Sequence, residues 1–527
     1  MAAANLSTRQ QHHSNRVKIH SATRPAWLTT LVPILILWLA LGVRLIALND
    51  RNFWLDESIE FNVANRPLAQ VVLADQAATH DPPLYSLLLN VWMNIGREDF
   101  TLQCLSVFLS VLAVAIMLTL GRQALSMTTG LVAGLIVAVA PRSVFFGLEV
   151  NQYGLVMLLA VLCLWRLERY FQSPTRRHLA QFGIASVAAM LTHYQLDLYV
   201  AALVLIGTLR QLPRLRRQPP RQIIEWLGLL GGLVAIGAIL LFAYALPQKA
   251  RLPSGFAPAF FATAPPIRQI MELLLTQTVN ILRFVFYGNE QPGPAWLPIG
   301  LIAIGGGVTF GRGRGRWLGL YLIAALLIGF AASGFGFLIF DGRYVWYVFP
   351  VATLLVATAL TLAPRPMWQS VWSSGGRVIG VVLVGLLVVR LPVISNVPFA
   401  ETEHLGDIIR QVDAQIQADD VVYVYYGASS QFTRYASDTL KRAATLETWA
   451  RSRPTEIRQA NLWQAVSNHN RVWFLTAHVN LQDDVPLRDA LASRCRPVEQ
   501  IELVGAASYL FDCHLPWLGQ MWFGNAR

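Results

Sequence analysis

Uninterrupted apolar runs separated by short polar segments fill the chain between residues 26 and 397. A helix of about 20 apolar residues crosses the ~30 Å hydrocarbon core of a bilayer. From this pattern we predict about eleven membrane spans. They are 26–48, 101–121, 127–147, 151–167, 179–193, 195–212, 223–246, 294–311, 317–340, 343–363 and 378–397. The predicted fold class is an all-α polytopic membrane bundle with a small C-terminal extracytoplasmic α/β domain.

The composition agrees with a membrane protein. Of the 527 residues, 54% are hydrophobic and only 14% are charged, and the mean hydropathy is +0.45. Soluble domains carry about 25% charged residues. The sequence therefore excludes a soluble enzyme, a coiled coil, a disordered scaffold and a secreted disulfide-rich module.

The net charge of +12 belongs to the membrane part of the chain. Residues 1–397 contain 30 Lys and Arg against 15 acids, whereas residues 398–527 contain 12 against 15. Basic loops set the orientation of membrane spans. The chain has no basic stripe with interleaved aromatic residues, so we expect no nucleic-acid partner.

The basic residues predict which segments are cytoplasmic. Residues 1–25 are polar and basic and are interpreted as a cytoplasmic tail rather than a cleaved signal peptide. The loop 49–100 holds eight acids and three Arg and is placed outside. An odd number of spans then puts 398–527 on the outer face. The one Asn-x-Ser/Thr sequon, at Asn5, lies in the cytoplasmic tail, which favours a bacterial inner membrane over the endoplasmic reticulum.

The region 398–527 has the pattern of a small α/β domain. The segments HLGDIIRQVDAQIQ and PLRDALASRC have helical spacing, whereas DDVVYVYYG, HNRVWFLTAH and EQIELVGAASYLFDC are typical of strands. Cys495 and Cys513 both lie here and could form a disulfide in an oxidising compartment, or remain two unpaired thiols. No Cys and His spacing predicts a zinc site.

Candidate chemistry concentrates in the outer loop 49–100. The acids Asp56 and Glu57 follow Phe53-Trp54, and the segment HDPPLY begins at His80 and opens an amphipathic helix. A connector of this length is unusual in a compact bundle and favours a functional loop.

Group transfer on the outer face requires a donor that the membrane delivers, because nucleotide sugars are absent there and the chain has no Walker or dinucleotide motif. An Asp carboxylate can accept the proton of an acceptor hydroxyl that attacks an electrophilic carbon. A departing lipid phosphate needs positive charge or hydrogen-bond donors. The outer-face candidates for that role are His80, His193, Lys249, Arg251 and Arg343.

An ordered set of segments resembles GT-C glycosyltransferases. They are WLDESIEF, HDPPLYSLLLNVW, APRSVFFGLEVNQYGLVMLL, LTHYQLDLYV and DGRYVWYVFP. The branch that the chain is most similar to is the bacterial protein-O-mannosyltransferase-like group, which includes lipid A aminoarabinose transferases. The resemblance covers residues 26–400 and extends to DDVVYVYYG in the outer domain. It implies an inverting transfer from a polyprenyl-phosphate sugar to an acceptor hydroxyl on a glycan, a lipid or a protein.

The resemblance assigns roles to residues of the first loop. Asp56 matches the acid that acts as general base, and Glu57 matches its supporting neighbour. His80 and Tyr85 fall in a stretch that lines the same cavity. No set of ligand residues demands a cofactor, although a divalent metal bound by the first-loop acids is compatible with the resemblance.

The resemblance also assigns donor-binding residues on later segments. Arg343 and Tyr344 match a stretch near the pocket for the lipid phosphate. Glu149 and Tyr153 fall where relatives have an acid-x-Arg-x-Tyr pattern. Asn151 replaces the usual Arg, so a charge role at that position is not carried over.

Simpler interpretations remain open beside these. Asp56 could be the N-cap of a solvated helix, Arg343 could pair locally with Asp341, and His193 could satisfy a hydrogen bond at a span end. Lys249 and Arg251 could anchor at the membrane interface. A transporter of lipid-linked saccharide is the alternative function, but it would show internal repeats and charges at mid-membrane. An inactive relative that assists assembly is a third interpretation.

Overall fold

The structure is a computed structural model, and it describes residues 30–48, 52–78, 81–214, 220–250, 260–263, 265–287, 294–313, 315–362, 403–447, 454–479 and 484–514. It is mostly helical up to residue 362. The helices of this part are α1 (Leu31–Ala47), α2 (Leu55–Ala64), α3 (Leu68–Ala78), α4 (Leu84–Trp92), α5 (Asp99–Ala124), α6 (Met127–Val139), α7 (Pro141–Phe146), α8 (Tyr153–Gln172), α9 (Arg176–Met190), α10 (Tyr194–Gln211), α11 (Pro220–Leu240), α12 (Ile267–Tyr287), α13 (Trp296–Arg312), α14 (Leu318–Gly334) and α15 (Phe349–Leu362).

Three of the described helices are long and apolar enough to cross a membrane. They are Asp99–Ala124, Ile267–Tyr287 and Pro220–Lys249, in which α11 continues through a π-helical turn at Leu241–Ala245. Shorter apolar helices lie at Leu31–Ile46, Met127–Val139, Leu318–Gly334 and Trp346–Thr361.

The structure departs from the predicted spans at two places. The predicted span 127–147 is two helices, because Pro141 lacks the amide that would continue α6. Helix α12 was not predicted at all, since Arg268, Glu272 and Arg283 interrupt its apolar pattern. The predicted span 378–397 lies outside the described residues, as does the tail 1–25.

A fully buried arginine supports the break between α6 and α7. The Arg44 guanidinium donates to the carbonyl oxygens of Ala138 and Ser143 at 2.9 and 3.1 Å and to the Ser110 hydroxyl at 2.7 Å. The Ser143 hydroxyl donates at 2.7 Å to the carbonyl of Val137, which Pro141 leaves without its helical donor. The chain can therefore turn here, inside the bundle, with its carbonyl oxygens bonded.

Residues 403–514 form a second structural unit, which we call the C-terminal α/β unit. Its helices are α16 (Leu405–Gln415), α17 (Ser429–Tyr435), α18 (Asp438–Arg442), α19 (Thr455–Val466) and α20 (Val485–Arg494). Its strands are β1 (Val421–Val424), β2 (Ala444–Leu446), β3 (Arg471–Ala477), β4 (Arg496–Leu503) and β5 (Ala506–Asp512). Cys495 and Cys513 form a disulfide.

The five strands form one mixed sheet in the order β2-β1-β3-β5-β4. Strand β1 pairs in parallel with β2 and β3, whereas β5 pairs antiparallel with β3 and β4. Alternate residues of β1 and β3 enter two separate cores: Val422 and Trp473 lie in one, and Tyr423 and Phe474 in the other. Burial on both faces explains the continuous apolar runs of these two strands.

The C-terminal α/β unit docks on the segment that precedes α2. The Phe53 amide donates to the Tyr435 hydroxyl at 2.7 Å, and that hydroxyl donates to Asp99 at 2.5 Å. Arg434 pairs with Asp99 and covers the Phe53 ring at 4.7 Å. Asn52 donates to Asp407 at 2.8 Å. The unit therefore fixes the backbone that leads directly into Asp56.

Candidate active site

Loops at one end of the helical bundle converge on Asp56. Asp56 lies in the first turn of α2, and Arg343 lies in the turn that precedes α15. The Arg343 guanidinium donates to the Asp56 carboxylate at 3.1 Å, with side-chain exposures of 38% and 30%. A second guanidinium nitrogen donates to the Tyr344 hydroxyl at 3.0 Å. Two candidate residues 287 positions apart in sequence thus form one partly exposed ion pair.

The simpler interpretation, that Arg343 pairs locally with Asp341, is wrong. The Asp341 carboxylate accepts the amide of Gly342 at 2.6 Å, and Arg343 pairs with Asp56 instead. Asp56 is also not the N-cap of α2, because that position belongs to Trp54.

Glu57 is placed differently from its neighbour. Its side chain is fully buried, and its two carboxylate oxygens accept the backbone amides of Trp54 at 3.2 Å and Val150 at 2.8 Å. The first contact caps α2, and the second holds α2 against the loop before α8. Glu57 therefore positions Asp56 rather than facing solvent.

A second cluster of polar side chains, Asp81, Gln152 and His193, links three further loops. Asp81, just before α4, accepts the Gln152 amide at 2.6 Å and lies 3.4 Å from His193 Nε2. His193 Nδ1 accepts the backbone amide of Gln195 at 3.1 Å, so His193 caps α10 as the simpler interpretation expects. The His193 ring lies between the rings of Tyr153 and Tyr344, at centroid distances of 6.3 and 6.5 Å.

Tyr85 and Glu149 are buried behind this group. The Tyr85 hydroxyl contacts the Ser106 hydroxyl at 3.1 Å. Burial raises the pKa of Tyr85 well above its usual value, and the charges of Glu57, Glu60 and Glu149 add to the rise. Glu149 is only 1% exposed. Neither side chain opens onto solvent beside Asp56.

Two predicted residues, His80 and Arg251, lie outside the described residues. Lys249 donates to the Gly336 carbonyl at 2.8 Å and covers the Phe337 ring at 5.1 Å. These contacts join the end of α11 to the loop after α14.

The sequence analysis missed His478. It follows β3 in the C-terminal α/β unit, and its ring lies 6.0 Å from the Trp54 ring. Its Nδ1 contacts the Glu403 carboxylate at 2.8 Å. Burial lowers the pKa of His478, but Glu403 and the charge of Asp56 outweigh it, so the pKa lies above its usual value. The sequence signal that could have identified it is a histidine directly after a buried strand.

The described residues contain no group of three or more His, Cys, Asp and Glu side chains that could hold a metal ion. Asp56 is paired with Arg343, and the carboxylate oxygens of Glu57 accept backbone amides. Within the described part of the loop, Asp56 and Glu57 are thus both engaged by other partners in this arrangement.

The fold of the chain is similar to that of solved protein structures. A family model for dolichyl-phosphate-mannose-protein mannosyltransferases matches residues 80–242. ArnT from Cupriavidus metallidurans bound to undecaprenyl phosphate aligns with a TM-score of 0.55 and 14% identity, over 90% of this chain and 97% of ArnT. The chain has the GT-C fold. The resemblance inferred from the sequence is confirmed.

Two further GT-C structures align over 92% of this chain at 13% identity. Apo ArnT from the same organism has a TM-score of 0.53 and is covered over 98% of its length. The oligosaccharyltransferase AglB from Archaeoglobus fulgidus, in complex with an inhibitory peptide and a dolichol-phosphate, has a TM-score of 0.50 and is covered over 74%. No curated protein sequence matches the chain significantly.

Proposed function

We propose that the protein is a membrane glycosyltransferase that moves a sugar from a polyprenyl-phosphate donor to an acceptor hydroxyl on the outer face of a bacterial inner membrane. The observation that carries the proposal is the partly exposed Asp56–Arg343 pair at the point where the loops of the GT-C fold converge. Both side chains remain partly accessible to a substrate. Their exposure therefore favours a role in binding and chemistry.

The two side chains divide the reaction between them. The acceptor oxygen forms a bond to the anomeric carbon, and the Asp56 carboxylate accepts the proton that this oxygen loses. The bond between the anomeric carbon and the phosphate oxygen breaks, and the lipid phosphate leaves with the electron pair. Arg343 stabilises the charge of that phosphate. One displacement at the anomeric carbon inverts its configuration.

Arg343 has the chemistry to exchange partners during this reaction. A guanidinium binds carboxylate and phosphate with the same planar set of donors. We propose that Arg343 turns from Asp56 to the lipid phosphate when the donor binds, which frees the carboxylate for the acceptor. Tyr344, Tyr153 and His193 lie beside Arg343: Tyr344 accepts its hydrogen bond, and the His193 ring contacts both tyrosine rings.

The remaining candidates take supporting roles in the proposal. Glu57 holds α2, and Tyr85 and Glu149 fill the wall behind it. Residues 26–397, of about eleven spans, form the catalytic domain, and residues 398–527 form the extracytoplasmic domain. The basic loops support a cytoplasmic N-terminus.

Identification of the bound lipid tests this function. We would purify wild-type protein, Asp56→Asn and the control Asp438→Asn, whose acid is exposed on α18, and analyse each by native mass spectrometry. Removing the base should trap a polyprenyl-phosphate sugar on Asp56→Asn, while wild type and control carry free polyprenyl phosphate. The same intact lipid-linked saccharide on all three proteins would contradict transfer at Asp56 and favour a transporter.

A further inference from the structure

His478 has a backbone conformation that a histidine rarely adopts. Its φ is 52°, which makes it the one non-glycine residue with a positive φ among those the structure describes. A left-handed conformation at a residue with a Cβ is unfavourable by about 1–3 kcal/mol, and such residues cluster at functional sites. The strained backbone of His478 therefore favours a functional role for its imidazole.

A chain of hydrogen bonds fixes the imidazole. Glu403 Oε1 accepts from His478 Nδ1 at 2.8 Å, and Glu403 Oε2 accepts from the Gln431 amide at 2.6 Å. The same amide donates to the Phe53 carbonyl at 3.1 Å. Because an ionised carboxylate only accepts hydrogen bonds, Nδ1 carries the proton. The lone pair of the neutral imidazole is then on Nε2.

The turn between β4 and β5 holds Glu403 from its other side. Gly505 has a φ of 71°, and a Cβ there would lie 2.9 Å from the Glu403 side chain. The His404 amide donates to the Val504 carbonyl at 2.9 Å. Glu403 is thus fixed by the fold of the C-terminal α/β unit and in turn fixes His478.

The imidazole lies at the proposed active site. Its ring is 6.0 Å from that of Trp54, two residues before Asp56, and its side chain is 29% exposed. Within the described ranges, Nε2 has no hydrogen-bond partner. The charged groups that act on the imidazole are Glu403, Asp56 and Arg343.

We propose that His478 binds the acceptor: its Nε2 accepts a hydrogen bond from an acceptor hydroxyl group and orients the acceptor toward Asp56. This inference rests on the proposed function, because it assumes that Asp56 receives the acceptor's proton. His478 breaks and forms no covalent bond. The proposal thus assigns the donor lipid to Arg343, on the helical bundle, and the polar acceptor to His478, on the C-terminal α/β unit.

The proposal sets the sign of a pH dependence. Protonation of Nε2 removes its lone pair, so transfer falls as the pH drops through the pKa of His478. Glu403 raises that pKa, so the loss begins at a higher pH than it would for an unperturbed imidazole. Glu403→Gln removes the raising charge, so the acidic limb should move to lower pH.

The test compares His478→Gly with His469→Gly. Glycine adopts a positive φ without strain, so the first variant should fold. His469 precedes β3 at its opposite end and bonds to the Asp419 carbonyl at 3.1 Å. Each protein is supplied with donor lipid eluted from Asp56→Asn protein and is then mixed with a detergent extract of the host's envelope membranes. Native mass spectrometry follows loss of the sugar between about pH 5.5 and 8.5.

We expect His478→Gly to transfer about tenfold more slowly or worse, and to lack the acidic limb that the imidazole gives wild type. Its affinity for undecaprenyl phosphate should stay within about twofold of wild type, since the lost hydrogen bond is to the acceptor. Transfer equal to that of His469→Gly would overturn the proposal, as would a loss of undecaprenyl phosphate binding, which would move His478 to the donor. Failure of Asp56→Asn to retain donor would instead refute the proposed function.

Discussion

Asp56 and Arg343 hold opposite charges in direct contact while both side chains remain partly exposed. Their neighbour Glu57 is fully buried and accepts two backbone amides. Adjacent carboxylates in one sequence motif therefore have separate tasks: Asp56 is available to a substrate, and Glu57 holds the helix that carries it.

Arg343 is predicted to bind the phosphate of the donor. Arg343→Ala should weaken undecaprenyl phosphate binding at least about tenfold, and Arg343→Lys should recover part of the loss, since lysine keeps the charge without the planar donors. Binding can be measured by native mass spectrometry at a series of lipid concentrations. Arg268→Ala, at an arginine whose side chain is 89% exposed, is the control. Equal binding by Arg343→Ala and wild type would remove Arg343 from the donor site.

Glu57 and Asp56 should differ in their effect on stability. In Glu57→Gln the side-chain amide must face one of two backbone amides, so the free energy of unfolding should fall by about 1–3 kcal/mol. Asp56→Asn should lower it by less, on the order of 1 kcal/mol, because its ion pair is partly exposed to solvent. Thermal unfolding in detergent measures both. A larger loss in Asp56→Asn than in Glu57→Gln would reverse the two assignments.

At the scale of elements, the C-terminal α/β unit is joined to the helical bundle by the contact of α17 with α2 and the start of α5. Arg434, whose side chain is 9% exposed, pairs with Asp99 and also donates to the Arg97 carbonyl at 2.9 Å. Its guanidinium lies 3.8 Å from the centroid of the Phe61 ring in α2. The contact joins the C-terminal α/β unit to the helix that carries Asp56.

Removing the partner of the nearly buried Arg434 should destabilise the protein. Asp99→Leu leaves the Arg434 charge without its partner and should lower the free energy of unfolding by about 3–5 kcal/mol. The double variant Asp99→Leu with Arg434→Met should recover much of that loss, because no buried charge remains. A double-mutant cycle of thermal unfolding measures the coupling. Additive losses would show that the two side chains do not interact.

Some of these elements could be predicted from sequence and others could not. The predicted helix HLGDIIRQVDAQIQ and the strands of DDVVYVYYG and HNRVWFLTAH appear as α16, β1 and β3. Helix α17 was not predicted, because seven residues give too few turns for a periodic pattern. Hydropathy placed Asp56 and Arg343 on the same side, but residues 287 positions apart are paired only by the packed fold.

At the scale of the whole molecule, the side of the membrane on which the C-terminal α/β unit lies depends on whether α12 crosses the membrane. One more crossing than the eleven predicted would move the C-terminal α/β unit to the cytoplasm. Phe284, near the end of α12, lies under the Arg142 guanidinium at 4.7 Å and packs against Phe146, the last residue of α7. Apolar side chains along α12 remain exposed, and charged residues interrupt them, as in helices that lie along a membrane surface.

We therefore predict that α12 lies along the outer surface and that the C-terminal α/β unit is outside. In intact spheroplasts, a membrane-impermeant thiol reagent should label a cysteine introduced at Asp438 and at Arg268, in a background with the native cysteines replaced. A cysteine at Arg216, in the basic segment 214–217, should be labelled only after lysis. Labelling of Arg216→Cys and protection of Asp438→Cys in intact cells would invert the topology.

Transfer of sugar from a defined donor tests the central claim most directly. Donor lipid eluted from Asp56→Asn protein would be supplied to wild type, Asp56→Asn and Asp438→Asn in the presence of envelope-membrane extract, and the free polyprenyl phosphate formed would be quantified by mass spectrometry. We predict continuous release by wild type and Asp438→Asn, and release at least about a hundredfold slower by Asp56→Asn. Equal release by wild type and Asp56→Asn would contradict the assignment of Asp56 as the base that drives glycosyl transfer.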